Sequence, residues 1–160
     1  MSFHSYLIIT GKRQGLISAG CSSEASIGNR CQIAHFDKIM VLSFKHLLRN
    51  PDNTQGISHQ PVFITKFIDK ATPLLAQALN DREIIDCVFE FHRINTSGHQ
   101  EKYFSIKLSG GLIVQHEIDM PHSVVLAEQD PQEYVSIRYR DISWLHHGAG
   151  TGGGASWGEI

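Results

Sequence analysis

Between Val62 and Leu79 the chain changes its hydrophobic period once, and this switch constrains the fold more than any other feature of the sequence. Pro61 to Ile68 reads as a strand, with the proline at the opening position, where its missing N–H takes no bond from a ladder. The period then becomes helical. Thr72 is expected to cap a helix through its hydroxyl, and Pro73 to occupy the first helical position. Leu74, Leu75, Ala78 and Leu79 fall on one face of that helix, and Asn80 suits its end. Nothing else in the chain makes a convincing helix.

The remaining apolar segments alternate. Ser5 to Thr10 is a first strand closed by Gly11, and Lys38 to Leu48 carries apolar residues on both parities, as in a strand covered on two sides. In Glu83 to Ile94 the parity of Ile85, Cys87, Phe89 and Phe91 is apolar, with Asp86, Glu90 and His92 opposite. A turn at Asn95-Thr96-Ser97-Gly98 leads to Glu101–Leu108, which predicts a hairpin. Gly110-Gly111 should bend or bulge the strand before Leu112–Ile118. Ser123–Leu126 is expected to be a short strand, and Gln132–Leu145 the last one. There Val135, Ile137 and Tyr139 share one parity and Ile142 and Trp144 the other, so a bulge near Arg140-Asp141 would put all five on one face.

Seven or eight strands against one helix, without βα alternation, predict a mainly β fold: an antiparallel β-barrel of two sheets with one short flanking α-helix. The 160 residues fit a single domain, 1–160, with a flexible Gly-rich tail over 148–160. Gly15–Asp37 and Arg49–Gln60 read as long loops, and long loops in compact domains commonly carry contacts.

Charge excludes one class of partner. Lys plus Arg number 14 against 16 acidic residues, so the surplus of positive charge that a phosphate-gripping protein needs is missing. No nucleic acid and no membrane insertion are expected, since no stretch approaches the ~20 apolar residues of a spanning helix. The start lacks the pattern of a secretory signal peptide, which suggests the cytoplasm. Three cysteines, Cys21, Cys31 and Cys87, make neither a CxxC pair nor an even framework. Free thiols are expected, with oxidation of Cys21 and Cys31 outside the cell left open.

Motifs for chemistry are weak throughout. His146-His147 are neighbours on a strand and point to opposite faces, without further ligands at zinc spacing. Gly148–Gly154 has the glycines of a phosphate loop but neither its lysine nor its helix. Cys87 lies on a buried parity, where a thiol is inert. No catalytic, cofactor or metal residues are expected, and no cofactor.

Three segments together resemble one family. The first is Val62–Leu79, with Thr65-Lys66, Asp69-Lys70 and Thr72-Pro73-Leu74. The second is the opening, Met1–Gly28. The third is the end, Tyr139–Trp157, with Tyr-Arg-Asp-Ile-Ser-Trp, His-His and a Gly-rich run to Ser-Trp. Over essentially its whole length the chain resembles the Hcp family, the tube proteins of bacterial type VI secretion. Ala71 stands where that family often has Ser.

The resemblance implies a β-barrel with a flanking helix, six copies closing into a homohexameric ring, and stacked rings forming a tube that a contractile sheath expels. Implied partners are sheath subunits, a VgrG-like spike, a baseplate and small effector proteins in the lumen. The protein would be cytoplasmic when assembled and then secreted through the apparatus. A small-ligand-binding β-barrel and a phage tail tube-like protein are the alternatives. Thr72, Pro73, Leu74, Leu75, Ala78 and Leu79 are expected to pack the helix on the barrel. A closed ring needs two complementary patches per subunit. Ser22, Ser23, Asn29, Asn53, Gln55, His146 and Trp157, on the loops and tail, are the candidate contacts.

Overall fold

Period-2 segments need partners for their backbone groups as well as a buried face, and here most of them find both by closing into a ring. The computed structural model describes residues 3–51 and 56–157. In chain order the elements are β1 (Phe3–Gly11), β2 (Gly15–Leu16), α1 (Glu24–Ile27), β3 (Ile39–Lys45), β4 (Leu48–Arg49), β5 (Ser58–His59) and β6 (Val62–Phe67). There follow α2 (Thr72–Asn80), β7 (Ile85–Ile94), β8 (Gln100–Asp119), β9 (Gln132–Arg138), β10 (Asp141–His146) and β11 (Thr151–Ser156).

The barrel runs β8-β7-β1-β3-β6-β9 and returns to β8, with every pairing antiparallel. The fold is thus mainly β with two sheets, but the barrel is one ring-like sheet, and the second sheet is only the small β4–β5 pair. Closure removes the unpaired edges that an open sheet leaves exposed. The core is a single cluster in which Leu7, Ile9, Ile39, Val62, Ile85, Phe89, Leu108 and Ile137 are fully enclosed. Burying one such side chain contributes roughly 1.5–3 kcal/mol.

β8 makes the closure possible by holding β7 on one part of its length and β9 then β10 along its other pairings. Gly110 has φ +61, and a Cβ at Gly111 would lie 3.0 Å from the Arg138 carbonyl oxygen and 3.2 Å from that of Ile85. Only glycine lets both neighbours come this close. The pairing with β7 shifts register here, between Ile85 and Cys87, so the expected bulge is present. The second expected break also occurs: β9 ends at Arg138, β10 begins at Asp141, and Val135, Ile137, Tyr139 and Ile142 are buried with Trp144 packed against them.

Four expectations are corrected. Ser123–Leu126 is a turn, not a strand, because the His122 ring accepts the backbone N–H groups of Val124 (3.2 Å) and Val125 (3.1 Å) and curls the chain. The expected flexible tail is, over Thr151–Ser156, a strand paired residue for residue with β10. Its glycines have no side chains to alternate, so periodicity cannot reveal it. Residues 158–160 lie outside the described residues.

Thr72 does not cap α2. Ala71 stands at the cap and Thr72 opens the helix, so Pro73 is its second residue and not its first, and the Asp69 carboxylate accepts the Ala71 N–H at 2.8 Å. Leu75 and Ala78 are buried, Leu74 and Leu79 pack against the core, and Pro73 is exposed. The long loop expected from Gly15 to Asp37 carries short elements. It forms β2, α1 and two short 3-10 turns, and it lies on the outer face of β1 and β7. Within it Cys21 is buried, with its thiol pushed up to about 12 by burial and by Asp69. Cys31 is exposed, so the two do not form an exposed pair.

Candidate functional site

The identifying segment Val62–Leu79 contains the least expected feature of the interior, a buried ion network. Lys66 is 0% exposed, because on β6 it shares the inward parity of Val62 and Ile64. An ammonium can sit there only with every proton engaged. Lys66 Nζ donates to Asp69 Oδ1 at 2.9 Å, to the Phe67 carbonyl at 3.0 Å, and to Glu133 Oε1 on β9. The Thr72 hydroxyl donates to Glu133 Oε1 at 2.8 Å and accepts the Asp69 N–H at 3.0 Å. The other Glu133 oxygen takes a hydrogen bond from His116 Nε2 on β8. Burial pushes the Asp69 carboxyl up, against the pull of Lys66.

This network joins β6, α2, β8 and β9, so Thr65-Lys66-x-x-Asp69-Lys70-x-Thr72-Pro73 is a structural lock. Thr72 joins the helix to this network through its hydroxyl. Glu133 and His116 were not foreseen as members, since they lie far along the chain. A glutamate at Glu133, on the inward parity of Val135 and Ile137, is the signal that could have revealed the first of them.

A second polar cluster fixes the C-terminal end. The Tyr139 hydroxyl lies 2.9 Å from His46 Nε2 and 2.6 Å from His59 Nδ1, and burial pushes the phenol up to about 12. Trp157 stacks on His59 with centroids 5.7 Å apart, meets Tyr139 edge-on, and lies under the Arg138 guanidinium. Burial and then His59 lower the pKa of His46. Its folded value is therefore below the unfolded ~6.5, and the unfolded chain binds the proton more readily. Its contribution is complete above that value and is lost as pH falls below it and through the folded-state pKa. Thermal melts between pH 7.5 and 5 should show stability falling with acid, and His46→Gln should flatten the slope. An unchanged slope in that variant would refute the assignment.

The expected contact residues separate into groups. Ser22 is 1% exposed, with its hydroxyl donating to the Lys38 carbonyl at 2.6 Å, so its side chain closes the loop on itself and is removed from the contact surface. Trp157 is engaged within its own chain. His146 is half-buried beside Tyr103 and Phe104, and its Nδ1 accepts the Ala149 N–H. His147 turns to Ser105 instead, as opposite faces require. Ser23 is half-buried and Asn29 exposed, while Asn53 and Gln55 lie outside the described residues.

Sequence reasoning missed the apolar surface. Ile33 is 92% exposed, Val124 79% and Val125 75%, and Phe36, Leu47, Leu48, Ile57, Phe63 and Met120 are exposed with them. Lys45, Leu47, Gln60, Pro61 and Phe63 line an open cleft of about 400 Å³.

The barrel closed through β8, the lock under α2 and the paired C-terminal strand together define one architecture. The model of the family described as type VI secretion system effector, Hcp, matches residues 6–146. The chain belongs to the Hcp family. It is 38% identical to the major exported protein of Pseudomonas aeruginosa over 98% of this chain and 96% of that relative. A crystal structure of an Hcp protein superposes with a TM-score of 0.93 at 34% identity, covering 99% of this chain and 100% of the other. The secreted protein Hcp3 from Pseudomonas aeruginosa gives 0.88 at 36% identity, with the same coverage. The family resemblance read from the sequence thus stands, and with it the assignment as a tube subunit of type VI secretion.

Proposed function

We propose that this Hcp-family chain closes with copies of itself into a six-membered ring, that rings stack into a tube, and that the tube is expelled with small effectors in its lumen. The subunit assembles in the cytoplasm and leaves through the apparatus, in company with sheath subunits, a baseplate and a VgrG-like spike. Its role is structural and not enzymatic.

The observation that carries this reading is the apolar surface. Large apolar side chains stand in water on separate segments: Ile33 and Phe36 on the loop over β1, Leu47 and Phe63 at the cleft, and Met120, Val124 and Val125 on the turn before β9. Contiguous exposed apolar patches on a protein mark contact surfaces. A head-to-tail ring needs two different patches on each subunit, and separate segments can supply them. Ser23 and Asn29 remain polar candidates at the rim. The packed apolar interior favours a structural subunit over a ligand-carrying barrel.

Solution mass and negative-stain imaging test this directly. Wild type should give rings with an open centre, and Val124→Asp with Val125→Asp should release folded monomers, since placing unpaired charge in an apolar contact costs on the order of several kcal/mol. Monomeric wild type without rings at high concentration would overturn the ring. Rings that survive the double substitution would remove the turn from the interface.

A further inference from the structure

Where the loop crosses the outer face of β1 and β7, three potential metal ligands converge. One ligand atom from each of His35, Glu90 and His92 lies within 4.8 Å of the other two, and all three residues are buried. Glu90 and His92 are two apart on β7 and so share a face. His35 comes from the loop's last 3-10 turn. Its ring stacks on Tyr6 at 3.8 Å and meets the His92 ring edge-on at 5.1 Å.

The hydrogen bonds favour a ligand here. His35 Nε2 lies 3.0 Å from Gln100 Oε1, an acceptor, so this nitrogen carries the proton and Nδ1 keeps its lone pair. His35 is 8% exposed, and Nδ1 is buried with no hydrogen-bond partner. A buried, unpaired imidazole nitrogen is costly unless something binds it. A ring N–H held by an amide oxygen is also the usual support behind a metal-bound histidine.

Glu90 Oε1 already accepts from a cation, Lys38 Nζ at 2.7 Å, and has His92 Nε2 at 3.2 Å; Lys102 Nζ is 3.9 Å from Oε2. Burial pushes the Glu90 carboxyl up, but Lys38 and His92 hold it below its ordinary value, so it is charged at neutral pH.

We propose that His35, Glu90 and His92 form a binding site for a divalent transition ion of the zinc class, with Lys38 as the cation it displaces. Two imidazoles and a carboxylate suit such an ion, and a fourth position is left for water. Bond lengths of about 2.0–2.2 Å place tetrahedral ligands roughly 3.3–3.6 Å apart. Glu90 and His92, 3.2 Å apart, already stand at that spacing, and His35, within 4.8 Å of both, has at most about 1.5 Å to close. Lys38 is partly exposed and swings into solvent as the ion enters. The bound ion clips the loop of residues 17–38 to β7.

Cobalt(II) titration of the intact chain, followed by its visible absorption and by zinc competition, tests the site. The expected result is one ion per chain with the bands of a low-coordinate centre, displaced by zinc. His35→Gln and His92→Gln should each abolish it. Gln100→Ala should weaken binding about 10–100-fold by freeing the His35 ring. Lys38→Ala leaves the ligands in place and should bind more tightly, which separates a metal site from a merely folded one. Absence of binding to wild type and to Lys38→Ala would overturn the proposal. So would a signal that survives His92→Gln and disappears in a His146→Gln, His147→Gln double variant.

Discussion

Lys66→Met should lower the folding stability by about 3–5 kcal/mol, the usual loss when one member of a buried ion pair is removed. The thioether fills the stem's volume but leaves Glu133 without its ammonium at 0% exposure and Asp69 without its own at 3%. The cost arises from these two orphaned carboxylates and not from a lost attraction. Removing all three charges together, as Lys66→Met, Asp69→Asn and Glu133→Gln, should therefore recover much of the loss. Denaturant melts of the single and triple variants decide the matter. A single variant within about 1 kcal/mol of wild type would contradict the buried network.

Phe89→Ala should also cost about 3–5 kcal/mol, here by opening a cavity. Phe89 is fully buried at the centre of β7, pairs with Leu7 on β1 and Ile106 on β8, and meets the Phe44 ring edge-on at 4.9 Å. Three strands of the barrel lose contact through one substitution. Phe89→Leu should retain most of the stability, because it keeps much of the volume. Equal losses for the two variants, measured by denaturant unfolding, would mean that shape and not cavity size governs this position.

These two positions differ in how plainly the sequence shows them. Phe89 is legible from alternation alone, since residues 85, 87, 89 and 91 make an apolar parity on β7. Lys66 occupies an equally regular inward position, yet a lysine there reads as the solvent side of a strand. Its burial depends on Glu133, which is paired with it across β6 and β9. Periodicity reports local faces, so it recovered most barrel strands, the break near Arg140-Asp141 and the helix. Contacts between distant segments and strands without side chains stay hidden from it, as β11 and the lock both illustrate. The same limit explains Glu90 and His92: their parity is polar, as solvent-facing residues would be, but the loop of residues 17–38 covers it. The exposed apolar surface was missed for another reason. Val124 and Val125 look like strand residues, and only the turn built on His122 exposes them.

The lock also bears on the order in which the molecule is made. A chain emerging from the ribosome presents Lys66 early, with Asp69 three residues on, but Glu133 follows only 67 residues later. Until β9 arrives, β6 lacks its pairing on that edge and the Lys66 ammonium lacks Glu133. Docking of β9 closes the barrel and neutralises that charge in a single event. Contacts so far apart in sequence slow folding. The nascent subunit therefore completes its interior only after 133 of its 160 residues have been synthesised.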